Sequence, residues 1–560
     1  MIMKKLILAC LLILSARVFG TQKRDLPNII VIIGDDIGFS DIGCYGSEIQ
    51  TPNLDYLATK GMRFSQFYNG AKSEPSRNSL FTGLYKGDDR ALSFEGILKA
   101  NGFTVLHSGK EHFDNWVPER CFAVNTSDHA FTFWAATNFF IPPDSVFSQP
   151  LFLEGKEVHP RELEKVFGNP FYMTDFITDL SMKWMDEALN NKKPFLLVLP
   201  YNAAHWPLQA FPEDISKYRD IYRQGWDKIR AARFEKMKKL GIVPDNIILS
   251  TPEDDPTTVY RPRNDGHDEL RKLISVYKPW DSLTEEQQDQ FSLEMAVYAA
   301  MIDRMDQNIG KIIQKLKAKE IEENTLIMYF SDNGACPFER NRDLVIPPGD
   351  ASSWRTLSTC WANVGNTPFR YYKQNGHEGG SHNHFIASWP AVIKAGQVSS
   401  KLTQIVDVFP TLIDIAGLKY PETIGSEPTI PLNGTSLLPL FLGGDRKDPA
   451  FIISGFTENK RMYRMGDWKI VKLNGGDWEL YNLKDDPTEI HNLAITEPGI
   501  LESFQNSYTG YKAHTDSILK KEVRKVSYPY QSKIPMRGVY GISPGANINV
   551  TNPDVGNKSD

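Results

Sequence analysis

Four short apolar runs in the chain each end on residues that can do chemistry. Asn28–Ile33 (NIIVII) leads into Gly34-Asp35-Asp36, and Phe103–His107 (FTVLH) into Gly109-Lys110-Glu111-His112. Phe195–Leu199 (FLLVL) leads into Pro200 and then His205, and Thr325–Phe330 (TLIMYF) into Ser331-Asp332-Asn333-Gly334. Asp35, Asp36, Asp332 and Asn333 are hard oxygen donors, a set that suits Ca²⁺ or Mg²⁺ and not Zn²⁺. No Cys cluster or HExxH pattern offers a softer site. Taken alone, Asp35-Asp36 fits a capped strand-to-loop turn equally well. Two adjacent carboxylates at a buried strand end repel each other unless a cation offsets them, and the second acidic pair tilts the reading toward a metal.

The sharpest local pattern is Ser73-Glu74-Pro75-Ser76-Arg77-Asn78-Ser79-Leu80-Phe81-Thr82-Gly83. Pro75 suits the first turn of a helix, where its missing N–H has no partner to lose. Ser73 then stands beside a helix N-terminus, where backbone N–H groups and the dipole favour an anion. Arg77, one turn further, can add a charge-assisted contact to an oxyanion. The competing reading of Ser73 is an ordinary helix-capping serine.

This segment resembles the signature C/S-x-P-S-R-x-x-L-x-T-G of the formylglycine-dependent sulfatases in the alkaline phosphatase superfamily, and the chain is closest in style to their bacterial arylsulfatase-like members. The resemblance extends to Pro27–Gly46, Gly109-Lys110-x-His112, Ala204-His205-Trp206-Pro207, Ser331-Asp332-Asn333-Gly334 and Lys373 with His377-Glu378-Gly379-Gly380. Gly466-Asp467-Trp468-Lys469 and Trp478-Glu479-Leu480-Tyr481 look similar too, so it covers nearly all of the mature chain. It implies that Ser73 is the modified residue, oxidised to formylglycine, whose hydrate is the nucleophile. One hydroxyl of a hydrate attacks sulfur; deprotonation of the other expels sulfate and restores the aldehyde, where a plain serine would be left as a stable ester.

The resemblance further implies that Asp35, Asp36, Asp332 and Asn333 hold one Ca²⁺, that Arg77 and Lys110 steady the formylglycine, and that His112 acts on its hydroxyl. His205 and Lys373 would contact sulfate and assist the leaving oxygen. A serine at the modified position implies a bacterial chain matured by a radical-SAM enzyme before export. The expected partner is a sulfated carbohydrate, such as mucin-type glycan or glycosaminoglycan fragments, processed one terminal sugar at a time. A phosphomonoesterase or phosphodiesterase of the same superfamily, and a silent sulfoglycan-binding protein, are the alternatives. One departure stands out: Ser381-His382-Asn383-His384 replaces the usual apolar step after Glu-Gly-Gly. His382 and His384 read either as loop surface or as recognition of a polar substrate near Lys373.

Positioning these groups requires a sheet. The apolar runs lack polar alternation, the mark of parallel strands covered on both faces. Helical patterns at Asn53–Lys60, Thr174–Leu189 and Ser292–Leu316 alternate with them, which gives an α/β sandwich. Ligands of such sheets bind at the carboxyl ends of the strands. The expected fold is α/β: a large, mostly parallel or mixed sheet between helices, alkaline phosphatase-like by resemblance, with a small C-terminal α+β subdomain carrying an antiparallel sheet. Asp114–Pro170 reads as an irregular, aromatic insertion over one sheet edge, and Pro337–Asn366 as a long loop, both rich in aromatics that suit sugar rings. Short turn-punctuated runs beyond Gly444 end in a helix around Ile500–Lys512.

Composition bounds the rest. The chain has 560 residues, with 63 Lys+Arg against 69 Asp+Glu. That weakly acidic balance, without a long basic run, argues against nucleic acid as the main partner. Five cysteines are too few for a disulfide scaffold. Lys4-Lys5, the apolar run Leu6–Leu14 and the small residues ending at Gly20 read as a secretory signal peptide, with no integral membrane span. The expected division is a signal peptide over 1–20, a catalytic domain over 21–444 and a C-terminal subdomain over 445–560, in a protein exported to a bacterial periplasm.

Overall fold

A computed structural model describes residues 26–86, 91–112, 122–144, 148–168, 170–253, 266–339, 341, 344–457 and 459–519. The signal peptide expected over 1–20, Trp116, Cys121 and the chain beyond 519 lie outside the described residues. One mixed sheet of eleven strands organises the fold. Its strands are β1 (Asn28–Gly34), β2 (Met62–Tyr68), β3 (Thr104–Lys110), β4 (His129–Phe133), β5 (Phe152–Leu153), β6 (Lys156–Glu157), β7 (Phe195–Pro200), β8 (Thr325–Ser331), β9 (His382–Ser388), β10 (Gln397–Ser399) and β11 (Thr403–Gln404). The spatial order is β10-β2-β9-β8-β1-β7-β3-β4-β5-β6, with β11 beside β2. The four apolar runs are the neighbours β8-β1-β7-β3, all parallel, so their carboxyl ends share one edge.

Burial follows from the pleat. Ile30 and Ile32 of β1 face one core with the helices Met173–Asn190 and Glu285–Ala318, while Ile29, Val31 and Ile33 face a second core. That second core holds Leu80 and Phe81 of the Ser73–Thr82 helix and Leu412 of the Val408–Ile415 helix. A strand covered on both sides has no polar face to show, which is why the runs read as uninterrupted hydrophobes. No helix among the described residues is long and apolar enough to cross a membrane.

Two stretches differ from expectation. The Asp114–Pro170 segment does not merely lie over the sheet edge but extends the sheet: β4 pairs parallel to β3, and β5 and β6 follow antiparallel. From Ser353 onward the Pro337–Asn366 stretch is buried. Ser353, Thr356 and Trp361 are fully buried, and residues Thr359–Gly365 form a helix whose Trp361 indole donates to the Phe291 carbonyl at 2.8 Å. Toward the C-terminus, Ile452–Thr457, Lys460–Met465, Trp468–Lys472 and Trp478–Asn482 form a four-stranded antiparallel sheet. Phe504 and Tyr508 of the Pro498–Leu519 helix pack on its Tyr463 and Ile470.

Candidate active site

The carboxyl ends of β8, β1, β7 and β3 bring together the groups expected there. Asp35 and Asp36 follow β1, and Asp332 and Asn333 follow β8, tied by the Asp332 N–H donating to the Gly34 carbonyl at 3.1 Å. Lys110 is the last residue of β3, and His205 lies in the loop after β7. Ser73, Arg77, Lys110, Asp35, Asp332 and Asn333 are fully buried, while Asp36, His112, His205 and Lys373 keep 2–6% exposure.

Ser73 opens the Ser73–Thr82 helix but does not cap it. Its hydroxyl donates instead to Asp332 Oδ2 at 2.7 Å and accepts from Arg77 Nε at 3.0 Å. This excludes the plain capping role and leaves Ser73 aimed at the rim. Arg77 Nε also donates to Asp332 Oδ2 at 2.9 Å, and Nη1 donates to the Lys110 carbonyl at 2.7 Å. Its Nη2 is buried without a hydrogen-bond partner and stands 3.9 Å from Asp35 Oδ2. Lys110 Nζ meets Asp35 Oδ2 at 2.6 Å, Lys373 Nζ meets Asp36 Oδ1 at 2.5 Å, and His205 Nε2 stands 3.5 Å from Asp36 Oδ2.

The charges follow this pairing. Burial raises the Asp35 carboxyl, yet Lys110, His205 and Arg77 together hold it below its ordinary value. Burial raises Asp36 as well, and Lys373 with His205 brings it net down. Burial, then the Lys110 and Lys72 cations, pushes His112 well below the ordinary imidazole value, so it is neutral. Burial also lowers His205, although Asp36 and Asp35 oppose it. His205 Nδ1 lies 2.8 Å from the Trp206 carbonyl, which fixes a proton on Nδ1 and turns Nε2 to the site. Asp36 (φ 61°) and His112 (φ 55°) occupy the left-handed region, strain of the kind that clusters at active sites.

The donor set fits a hard cation. Asp35 Oδ1, Asp36 Oδ2, Asp332 Oδ1 and Asn333 Oδ1 are all buried and without a hydrogen-bond partner. Orphaned buried oxygens are costly unless something positive meets them. Asn333 is held with its oxygen free because Nδ2 donates to Asp36 Oδ1 at 2.7 Å. Atoms of Asp35, Asp36 and His205 also lie within 4.8 Å of one another. By donor chemistry the carboxylate and amide oxygens suit a hard cation better than the His205 nitrogen does.

His382 and His384 are corrected. Both are buried in β9 and not on a loop. His382 bonds Glu378 Oε2 through Nδ1 at 2.8 Å and the Ser65 carbonyl through Nε2 at 2.7 Å, and stacks on Tyr68 and Phe369. His384 stacks on Tyr329 at 5.3 Å, its rings 6° apart, and burial pushes it down to about 3. Side chains alternate along a strand, and it is the intervening Asn383 that faces the site, donating to the Asn333 carbonyl at 2.8 Å and the Ile37 carbonyl at 3.0 Å. Its place between two unusual histidines was the signal. Ser76 was likewise missed: its hydroxyl donates to the Asp332 carbonyl at 2.5 Å and accepts from Gly70 N–H at 2.8 Å. Of the aromatics, Phe131, Phe133, Phe139, Trp361 and Tyr372 are core residues, whereas Trp134 and Trp206 stay partly exposed beside His112 and His205.

The sequence model of the sulfatase family matches residues 27–418. The chain belongs to the sulfatase family. A second model, the C-terminal part of N-sulphoglucosamine sulphohydrolase, matches residues 369–500. The sulfatase is 30% identical to the arylsulfatase of Klebsiella aerogenes over 478 residues, covering 78% of this chain and 96% of that one. It is 25% identical over 478 residues to the N-acetylglucosamine-6-O-sulfatase of Bacteroides thetaiotaomicron, covering 77% and 73% of the two chains. Among solved structures, Ps i-CgsB in complex with k-i-k-neocarrahexaose superposes with a TM-score of 0.61 at 24% identity, over 87% of this chain and 93% of that one. The fold is the alkaline phosphatase-like sulfatase fold. As an enzyme of this family, the protein hydrolyses sulfate esters.

Proposed function

We propose that this sulfatase is exported, holds one Ca²⁺, and uses a formylglycine made from Ser73 to remove sulfate from a terminal sugar of a sulfated carbohydrate. One observation carries the reading: the buried Ser73 hydroxyl is bonded by Asp332 and Arg77 at a rim where four oxygens lack partners. The N-terminal segment with signal-peptide layout supports export, and the carbohydrate named for the Bacteroides relative supports the substrate class. Mucin-type glycan and glycosaminoglycan fragments are the substrates of choice.

When bound, the ion supplies positive charge against the sulfate oxygens. The chain's own residues do the rest. Arg77 orients the side chain at 73, and its Nη2, which makes no hydrogen bond, is the donor offered to the anion. Lys110 and Lys373 add charge from both sides, at buried positions where screening is weak. Neutral His112, with Nδ1 unpartnered, takes a proton from the hydroxyl at 73 when sulfate leaves. His205 presents Nε2 to the mouth, placed to hand a proton to the leaving sugar oxygen. The rim residues keep 6% exposure or less, which supports action at a chain end.

Mass spectrometry of the Ser73 peptide is the first test, with a loss of about two mass units expected for the oxidised residue. Released sulfate is then measured on a panel of sulfated mono- and disaccharides. Ser73→Ala abolishes turnover while the fold persists; retained turnover rejects this mechanism. A faster rate on an aryl phosphate than on the aryl sulfate moves the enzyme to phosphoester chemistry. Modified protein that releases no sulfate from any glycan is a binding protein.

A further inference from the structure

The C-terminal runs Trp468-Lys469 and Glu479-Leu480-Tyr481 have no part in the chemistry above, yet their side chains reach the segment that carries Lys373. That segment is held on one side by the catalytic loops. Lys373 N–H donates to the Ala335 carbonyl at 3.2 Å, just past Asn333, and Gln374 N–H donates to the Ala71 carbonyl at 2.6 Å, just before Ser73. Its other side meets the C-terminal sheet. Gly376 lies so close that a Cβ there would stand 3.0 Å from the Met462 backbone nitrogen. His377 Nε2 pairs with Glu479 Oε2 at 3.0 Å, and Glu479 in turn accepts from the Tyr481 hydroxyl at 2.5 Å.

A buried charge cluster fixes the next residue. Glu378 Oε1 takes Lys469 Nζ at 2.7 Å, and Lys469 also pairs with Glu489 Oε1 at 2.7 Å. Glu489 Oε2 accepts the Glu378 backbone N–H at 2.7 Å, closing a ring around both side chain and main chain. Tyr68 and His382 complete Glu378 Oε2 at 2.6 and 2.8 Å. Lys469 and Glu489 are fully buried and Glu378 is 2% exposed. Buried ion clusters of this kind are weak evidence for stability, and conformational specificity is one reason to keep them. Here there is something to specify. Tyr371 (φ 61°) and Gln374 (φ 71°) bracket Lys373 in the left-handed region, and such strain persists only where the surroundings over-determine it.

We propose that the C-terminal sheet is a positioning element of the active site. Lys469, through Glu378 and Glu489, and Glu479, through His377, fix the segment that aims Lys373 at Asp36 and the sulfate. The proposal rests on the reading of Lys373 as a sulfate contact. Lys469 and Glu479 are positioning residues that act only through it.

The test is a double-mutant cycle in the full-length, matured enzyme, read as kcat and KM on para-nitrophenyl sulfate with Tm for every variant. Lys373→Ala alone lowers kcat; an unchanged kcat rejects the role of Lys373 and the proposal with it. Lys469→Met is expected to lower kcat about 100-fold, since small misplacements cost that much, and Glu479→Gln about tenfold, with KM moving far less than kcat in both. Lys469→Arg, which keeps the charge, restores most of the loss. In the Lys373→Ala background both effects shrink to less than about threefold, because nothing remains to be positioned. Full losses in that background overturn the proposal while leaving Lys373 in place. Should Lys469→Met be too unstable to assay, the cycle with Glu479→Gln decides, since that side chain is 21% exposed and its loss leaves the buried cluster whole.

Discussion

Arg77 is the residue at which the anion pocket is tested most directly. Its guanidinium is fully buried and its donors are divided: Nε serves Ser73 and Asp332 at 3.0 and 2.9 Å, and Nη1 serves the Lys110 carbonyl at 2.7 Å. A lysine in its place keeps the charge as a point and loses the fork. It cannot hold the side chain at 73 and the Lys110 backbone together. One hydrogen bond to a charged group is worth about 1.5–3 kcal/mol, or roughly 10- to 150-fold in rate. Arg77→Lys is therefore expected to lower kcat on para-nitrophenyl sulfate by that factor, with Tm near wild type. Arg77→Met does more, because a fully buried Asp332 carboxylate loses its guanidinium; breaking such a pair costs about 3–5 kcal/mol, read as a lower urea midpoint. Wild-type kcat in Arg77→Lys, in protein carrying the modified residue 73, would refute the reasoning.

Three further outcomes are expected. His384 is pushed by burial from 6.5 down to about 3, so as pH falls from 6.5 the unfolded chain binds a proton that the folded chain refuses. Stability then drops by up to about 5 kcal/mol by pH 3, and His384→Phe flattens the urea midpoint over that window; an unchanged slope counts against the assignment. Glu294 runs the other way: burial raises it from 4.5 to about 7, so it costs stability as pH rises through that interval. Glu294→Gln, which still accepts from the Ser358 N–H, is about 3 kcal/mol more stable than wild type at pH 8 and equal to it at pH 4. Finally, Ca²⁺ at 100 times its Kd stabilises chelator-stripped protein by about 2.7 kcal/mol, and Asp36→Asn removes the response; a Tm indifferent to Ca²⁺ rejects the ion.

The parallel centre of the sheet was legible because β1, β3, β7 and β8 are buried on both faces, and such strands have no polar alternation to confuse them with anything else. Asp35, Asp36, Lys110, Asp332 and Asn333 were legible for the same reason, since they stand at the ends of those strands. Legibility failed where burial is achieved by polar or aromatic groups. β9 opens His-Asn-His and reads as surface, yet His382 is satisfied by Glu378 and the Ser65 carbonyl, and His384 is buried in a stack on Tyr329 with neither ring nitrogen hydrogen-bonded. β4 begins with a histidine in an aromatic stretch, and only its pairing with β3 makes it a strand. The Pro337–Asn366 stretch hides its burial because its polar groups bond one another, as Asn341 and Thr356 do twice, at 3.1 and 3.0 Å. The partners of Lys469 are nearly a hundred residues away from it at Glu378 and twenty at Glu489, and spacing in the chain says nothing about either.

The pairings at the rim explain how one site can serve a cation and an anion. Three carboxylates, Asp35, Asp36 and Asp332, are met by three side-chain cations, Lys110, Lys373 and Arg77, each at 2.9 Å or less. The cluster is therefore close to neutral by itself, which is what allows it to be buried. Each carboxylate spends one oxygen on this pairing and keeps the other without a hydrogen bond. On the proposed reading, a divalent ion held by the remaining oxygens would give the cluster a surplus of positive charge at a buried place, which a sulfate ester could neutralise. On the proposed reading the same three side-chain cations would serve two roles in turn, holding the carboxylates and sharing themselves with sulfate. On this account the anion pocket is only as strong as the cation site beneath it, and Asp36, tied to Lys373, His205 and Asn333 at once, is where the two are joined.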